Sequence, residues 1–437
     1  MMEDARAWVC SLSSRDLEEA RQARLSLACL MEPQQLIEMW RAGKQRDAAE
    51  LLREAEEVGN PDVYAAIGEN FRLMFCVNDK RALAEQFLQL DDSHIVVQFL
   101  LNGISHEDIS RAGSLCAPLL GLLTALPTHQ AAAVGHLVSS SLKNEKVLRL
   151  FDVGSPDCAE NKEVCRFLHM HTDLVPFISS ATVDAFDSDP LLVANYLDVC
   201  GVMMRHMELP VPLFDRIQRE LTEGVDSFVF PFTCRACSLA IRHHEQNASK
   251  FARQWTHASA AHLVRCSHDT RDAIYDLLGA ASSTATGWLC SQTLVNAEDM
   301  TAALSSSAAR SITLGFLCDL VQSPHVPDAF FSSSLLGAIW QLRYTQDDLA
   351  RERLWIFLTR GFWRPAVVTA MAASCASFLC SDHQEVSVVV RQMQLQLAAQ
   401  FAESPDLVPE MAGRLREFVA RGLYPPSSVG VAAIPRR

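Results

Sequence analysis

Strand grammar is missing from this chain. No alternating polar and apolar run is bounded by an Asn-Gly or Asp-Gly hairpin turn, which excludes a sandwich or barrel of short strands. Surplus positive charge is missing as well. The 52 acidic residues outnumber the 38 basic ones, for a net charge of −14 and a pI near 5.5. A nucleic-acid footprint needs a basic stripe, so no nucleic-acid partner is expected. Lysine is scarce: six of the 38 basic residues, none beyond Lys250. That is a compositional bias of the genome before it is a sign of function. There is no Gly-rich phosphate loop, no H-E-x-x-H and no G-x-S-x-G, so the usual signatures of nucleotide, zinc-hydrolase and serine-hydrolase chemistry are absent.

An unbroken apolar run is absent too. Ser114 to Leu142 contains no Asp, Glu, Lys or Arg, but Pro118, Pro127 and Thr128-His129-Gln130 interrupt it before about 20 apolar residues accumulate. Two buried helices joined by "LPTHQ" are expected there, in a soluble protein with no membrane partner. The opening "MMEDARAWVC" is charged and lacks a basic region followed by an apolar one, so no secretory leader is expected. The expected location is cytoplasmic, extending to the nucleus. The 14 cysteines are spread from Cys10 to Cys380 without a close framework and read as free thiols in a reducing compartment. The triplet Asn247-Ala248-Ser249 is then a chance match to a glycosylation acceptor.

What is present is helical periodicity. In "DPLLVANYLDVCGVMMRHM", Asp189 is placed to cap, Pro190 suits the first turn, and Leu192, Tyr196, Val199 and Met203 share a face. In "SPDLVPEMAGRLREFVARG", Ser404 caps, Pro405 opens, Leu407, Met411, Leu415, Phe418 and Val419 form the stripe, and Gly422 stops the helix. Between them, Val386, Val389, Val390, Met393, Leu397 and Phe401 fall together. Roughly two dozen such segments are joined by short breaks such as "GNPD", "VGSPD", "ELPVP" and "QSPHVP". A single core stops growing near about 250–300 residues, so a chain of this length built from short helices is expected to stack. The spacing of Cys76, Cys116, Cys158 and Cys200 is close to an armadillo or HEAT unit of about 40 residues. The expected fold is therefore all-α: one elongated armadillo/HEAT-like α-solenoid over residues 1–437, with an irregular tail at 423–437 and a concave helix-lined face.

The stretch most suggestive of chemistry is "FPFTCRACSLAIRHHEQN", from Phe230 to Asn247. Cys234 and Cys237 stand in C-x-x-C spacing, His243 and His244 follow, and His257, His262, Cys266 and His268 come after. Cys234, Cys237, His257 and His262 are one set of four zinc ligands that can be drawn. The first pair, however, falls in mid-helix and not on a knuckle turn. A redox pair needs a preceding strand and a helix N-terminus, and neither is visible. Cys234, Cys237, Ser238 and Ile241 lie on one face, so core packing is the favoured reading, with a metal- or thiol-dependent enzyme as an alternative. The histidines of His169-Met170-His171 and His206 are isolated. Glu56-Glu57, Asp91-Asp92 and Asp347-Asp348 sit at helix ends, where capping and the macrodipole explain the latter two. In "RLWIFLTRGFWRP", Trp355, Phe357, Phe362 and Trp363 cannot all face one way, so at least one is expected outside the core, with core packing the favoured reading of the stretch and an interface anchor the alternative. No catalytic residue, cofactor-binding residue or metal ligand is assigned.

Two stretches resemble one family. Leu415-Arg416-Glu417-Phe418-Val419-Ala420-Arg421-Gly422-Leu423-Tyr424 is similar to the C-terminal segment of the proteasome non-ATPase regulatory subunit 5 family. There a Leu-Arg-x-Tyr-Leu helix runs into Gly-Pro-Tyr; here Leu423 replaces that Pro, and Pro425 and Pro426 follow. "LQLDDSHIVVQFLLNGISHEDISRAGSLCAPLLGLL" (88–123) is similar to a helix pair of the same family, with Gly103 to Ser110 as the break. The resemblance implies an armadillo/HEAT-like chaperone that is no enzyme. It would bind the C-terminal domain of a proteasomal ATPase-ring subunit, hold a base precursor, and be a monomer on its own. The other reading is a different armadillo-like adaptor, such as an Hsp70 nucleotide exchange factor or a transport scaffold.

Overall fold

The structure is a computed structural model. It describes residues 11, 16–30, 32–58, 61–76, 80–106, 109–142, 159–208, 210–243, 254–255, 258, 262–263, 266–292, 295–381, 387–403 and 409–422. Among them are 22 α-helices, two short 3₁₀ turns and no strand. The chain folds as two compact units, Met1–Phe214 and Asp215–Arg437. The irregular tail expected at 423–437, the stretch "VGSPD", and the residues Val386, Ser404, Pro405 and Leu407 lie outside the described residues.

The first unit contains α1 (Leu17–Leu30), α2 (Pro33–Arg41), α3 (Gln45–Val58), α4 (Pro61–Cys76), α5 (Arg81–Leu90), α6 (Ile95–Ser105), α7 (Ile109–Ala125), α8 (Ala131–Ser141), α9 (Ala159–His171), α10 (Leu174–Ala185) and α11 (Pro190–Met204). Helices pack on the equivalent helix of the next repeat: α1 on α4, α4 on α7 and α7 on α9, with α3 on α6 and α6 on α8 beside them. The chain crosses the unit boundary in α12 (Val211–Glu223). The second unit follows with α13 (Phe230–His243), α14 (His268–Ala281), α15 (Ala285–Ser291), α16 (Ala297–Ser305), α17 (Arg310–Gln322), α18 (Ser333–Gln341), α19 (Asp348–Gly361), α20 (Pro365–Leu379), α21 (Val388–Ala402) and α22 (Pro409–Arg421). One row runs α13, α14, α17, α19, α21, and the other α16, α18, α20, α22, each helix packed on the next. This two-row stacking of short helices within each unit is an armadillo/HEAT-like solenoid.

The repeat length is legible in bonds between neighbouring repeats of the stack. Gln130 donates to the Leu88 carbonyl 42 residues back, Ser323 to that of Ser282 at a separation of 41, and Arg353 to that of Ser311 at 42. Such bonds satisfy groups that short helices leave open at their ends. Local sequence sets the starts. Asp189, Ser267, Thr284, Asn296, Ser332, Asp347 and Ser387 each accept a backbone N–H of the first turn they precede. Gly422 ends α22 at φ +68°, a left-handed conformation that glycine adopts without steric cost.

Two expectations are corrected. Pro118 does not interrupt the apolar run but lies inside α7, and the break falls only at 126–130. Proline at 118 has no N–H for the Ser114 carbonyl. That carbonyl instead faces Gly68 on α4, where any Cβ would collide with it. Glycine lets the two backbones approach, so the proline is accommodated by tertiary packing. Second, Val389 is not part of the buried stripe of α21 but is exposed. The buried face is Val390, Gln394, Leu397, Ala398 and Phe401, rotated by Ser387 capping the Val390 amide.

Candidate interaction surface

The Cys234 region is core. Cys234 and Cys237 are fully buried on the face of α13 that also buries Thr233, Ser238 and Ile241, and both are free thiols. Burial raises their pKa well above the ordinary thiol value, and for Cys234 the negative charge of Asp276 adds to the effect. Thiols so protonated are poor nucleophiles and poor ligands. His262 donates from Nε2 to the Leu221 carbonyl at 3.1 Å and meets the Phe230 ring edge-on at 5.8 Å. His243 is exposed, while His244, His257 and the side chain of His268 lie outside the described residues. Among the described residues, no three His, Cys, Asp or Glu gather as a metal site. Burial also pushes Cys200 up to about 11 despite a hydrogen bond with Thr182, and Cys165 and Cys318 up to about 12.

What the fold builds on this row is a ridge of charge. Arg242 on α13 reaches Asp276 on α14 at 2.8 Å and Asp319 on α17 at 2.7 Å, and Arg360 on α19 closes on Asp319 at 3.3 Å. The ladder crosses four successive helices. Burial works against the charge of Arg242, but the Asp319 and Asp276 carboxylates outweigh it and raise its pKa. Gly279 opens the path, since a Cβ there would press on Asp319. Sequence reasoning missed this ladder, because Arg242 and Asp319 stand 77 residues apart.

The aromatic stretch divides as expected. Trp355 and Phe357 are core, while Trp363 is 55% exposed. Beside it Arg364 is buried and bonded to the carbonyls of Val321, Ser323 and Val326 and to the Asp328 carboxylate. Its guanidinium lies 4.5 Å from the Trp363 ring and 5.0 Å from that of Phe331. Trp363 is thus an exposed ring held against a fixed cation, the preorganised form an interface anchor takes.

In the first unit, Asp91 ends α5 and caps α6 by accepting from Ile95 N–H at 3.2 Å and Val96 N–H at 3.4 Å. Burial raises its pKa although those two amides oppose the shift. Asp347 caps α19. An open depression of about 480 Å³ at the junction of α8 and α9 is lined by His136, Ser139, Met170, His171 and Asp173. The isolated reading of His171 therefore misses a neighbour, His136, 35 residues earlier in the chain. No helix among the described residues is long and apolar enough to cross a membrane.

No family model and no curated protein matches the chain. Among solved structures it is similar to an engineered protein at 12% identity, covering 95% of this chain and 99% of that one, with a TM-score of 0.38. It is also similar to Kap121p bound to Pho4p at 12% identity, covering 96% of this chain and 55% of that one, with a TM-score of 0.40. A microtubule polymerase with a TOG domain array aligns at 10% identity over 94% of this chain and 99% of that one, with a TM-score of 0.27. The chain spans about half the length of Kap121p. At these scores the fold assignment rests on the packing described above.

Proposed function

We propose that this chain is a non-catalytic, protein-binding helical scaffold that serves as an assembly chaperone for the base of the proteasome regulatory particle. The observation that carries protein binding is the distribution of charge over the stack. Residues 1–214 hold 31 acidic and 18 basic side chains, residues 215–437 hold 21 and 20. The surplus of the first unit is a field that speeds the encounter with a basic partner and disfavours acidic ones. The finer reading is supported by the two stretches with family resemblance. Gly103 to Ser105 are the end of α6 and Ile109 and Ser110 the start of α7, and Leu415 to Arg421 is the last turns of α22, closed by Gly422. On this reading the partner is the C-terminal domain of one ATPase-ring subunit in a base precursor. The chaperone acts by occlusion, without nucleotide or metal, in the cytoplasm and nucleus.

The test is affinity purification of the full chain with mass spectrometry, at low and high salt. One ATPase-ring subunit with its neighbour, little 20S core, and release by salt is the expected result. Intact 26S particles, or no proteasomal subunit, overturn the chaperone reading, and an excess of Hsp70 selects the exchange-factor alternative.

A further inference from the structure

One arginine of the second unit is held by aromatic rings and not by a carboxylate. Arg343 belongs to the 3₁₀ turn Leu342–Tyr344 that follows α18. Its guanidinium lies 4.6 Å from the ring centroid of Trp340 and 4.0 Å from that of Tyr344. Phe378 on α20 meets both rings edge-on, at 5.8 Å from Trp340 and 6.0 Å from Tyr344. These contacts join the four residues into one cluster on two neighbouring helices of the row, α18 and α20. The cluster reaches solvent through Tyr344, which is 64% exposed.

A guanidinium carries five donors in one plane. Arg343 places Nη1 on the Trp340 carbonyl at 2.7 Å, while cation–π contact fixes the group. Its Nε and Nη2 have no acceptor among the described residues and are not buried. The described ion pairs of this unit engage Arg216, Arg242, Arg351, Arg360 and Arg364, and none engages Arg343. A fork fixed in advance by stacking is suited to a planar acid, which it meets with two parallel hydrogen bonds.

The charges around the turn select the size of the anion. Arg310 donates to the Thr345 hydroxyl at 3.1 Å and Arg351 to the Thr345 carbonyl at 2.8 Å. The carboxylates of the turn are already engaged, Asp347 with the Ala350 amide and Asp348 with Arg351. Three guanidiniums, of Arg310, Arg343 and Arg351, thus stand with two carboxylates, a surplus of one positive charge. That surplus matches a single carboxylate better than a phosphate group, which brings close to two negative charges.

We propose that Arg343, framed by Trp340 and Tyr344, is a docking site for an Asp or Glu side chain in an apolar-flanked segment of a partner protein. The carboxylate takes Nε and Nη2, and the apolar neighbour lies on the Tyr344 ring. The site holds whether or not the partner is a proteasomal subunit.

The test presents the full chain with an array of immobilised short peptides in which one Asp or Glu lies between Phe and Leu. Each peptide stands beside its Asn or Gln twin and a phosphoserine twin. The acidic members should retain the native chain at least about tenfold better than their amide twins, as a charge-assisted pair allows. Arg343→Gln should remove that preference, and Arg343→Lys, which keeps the charge without the fork, should keep only part of it. Tyr344→Ala should weaken acidic members and amide twins alike, with circular dichroism unchanged in each variant. Equal retention of acidic and amide members by the native chain, none of either included, overturns the proposal. So does a preference for phosphoserine, or a preference for acid that survives Arg343→Gln. The comparison of twins on the native chain decides the matter even where Arg343→Gln fails to fold.

Discussion

The described ion pairs of the two units differ in reach. In the first, the pairs Glu18–Arg21, Arg53–Glu57, Glu69–Arg72 and Arg81–Glu85 each lie along a single helix, with exposed partners. In the second, Arg242, Asp276, Asp319 and Arg360 join four helices, and Arg364 reaches back to Asp328 across a repeat. Pairs three or four residues apart on a helix surface contribute only about 0.3–0.5 kcal/mol, so they solubilise more than they bind. Charges that bridge repeats are partly buried and fix one helix against the next. Among the described residues, the second unit thus adds to its single-helix pairs, such as Asp348–Arg351, ion pairs that tie one repeat to the next.

The sharpest way to break this contrast is to remove one cation from each unit. Arg364→Met strands the carbonyls of Val321, Ser323 and Val326, and leaving a buried acceptor unmet costs about 1–3 kcal/mol. Arg53→Met should stay within about 0.5 kcal/mol. Urea midpoints compare them, and equal shifts would erase the distinction. Gly135→Ala tests how far the first unit relies on close backbone approach. Its Cβ would meet the carbonyl of His171, and overpacking of this kind costs about 1–3 kcal/mol, read as a lower thermal midpoint with unchanged helix content. The smallest effect concerns Asp91. Its folded pKa is raised above the ordinary 3.8, so the folded state holds the extra proton. That stabilisation is present below 3.8 and is lost as pH rises through the folded value. Relative to Asp91→Asn, the native protein should lose stability over that window as pH rises, with a constant gap above it. A gap that moves the other way means that the two amide donors outweigh burial.

Much of the local structure was legible because it depends on adjacent residues. Asp189 capping α11, the face carrying Tyr196, Val199 and Met203, the core role of Cys234 and Cys237, and the stop at Gly422 all follow from neighbours within a turn or two. The errors arise where a distant segment decides. Pro118 stays helical because Gly68, 50 positions earlier, admits the Ser114 carbonyl. Arg364 stood in the aromatic stretch already singled out, but its acceptors lie between Val321 and Asp328, beyond any helical period. The ladder through Asp319 has no sequence signal other than the repeat length. The uneven division of acid between the halves, by contrast, needs only a count.

Arg364 also bears on synthesis. The carbonyls of Val321, Ser323 and Val326, at and just beyond the end of α17, are met by a side chain about 40 residues downstream. During translation those carbonyls have only water until position 364 has left the ribosome, and a nascent chain halted between 323 and 363 carries an unfinished helix end. The end of α17 is thus completed by a residue made after it, which gives its elongation a directional dependence that a chain refolding from full length does not share.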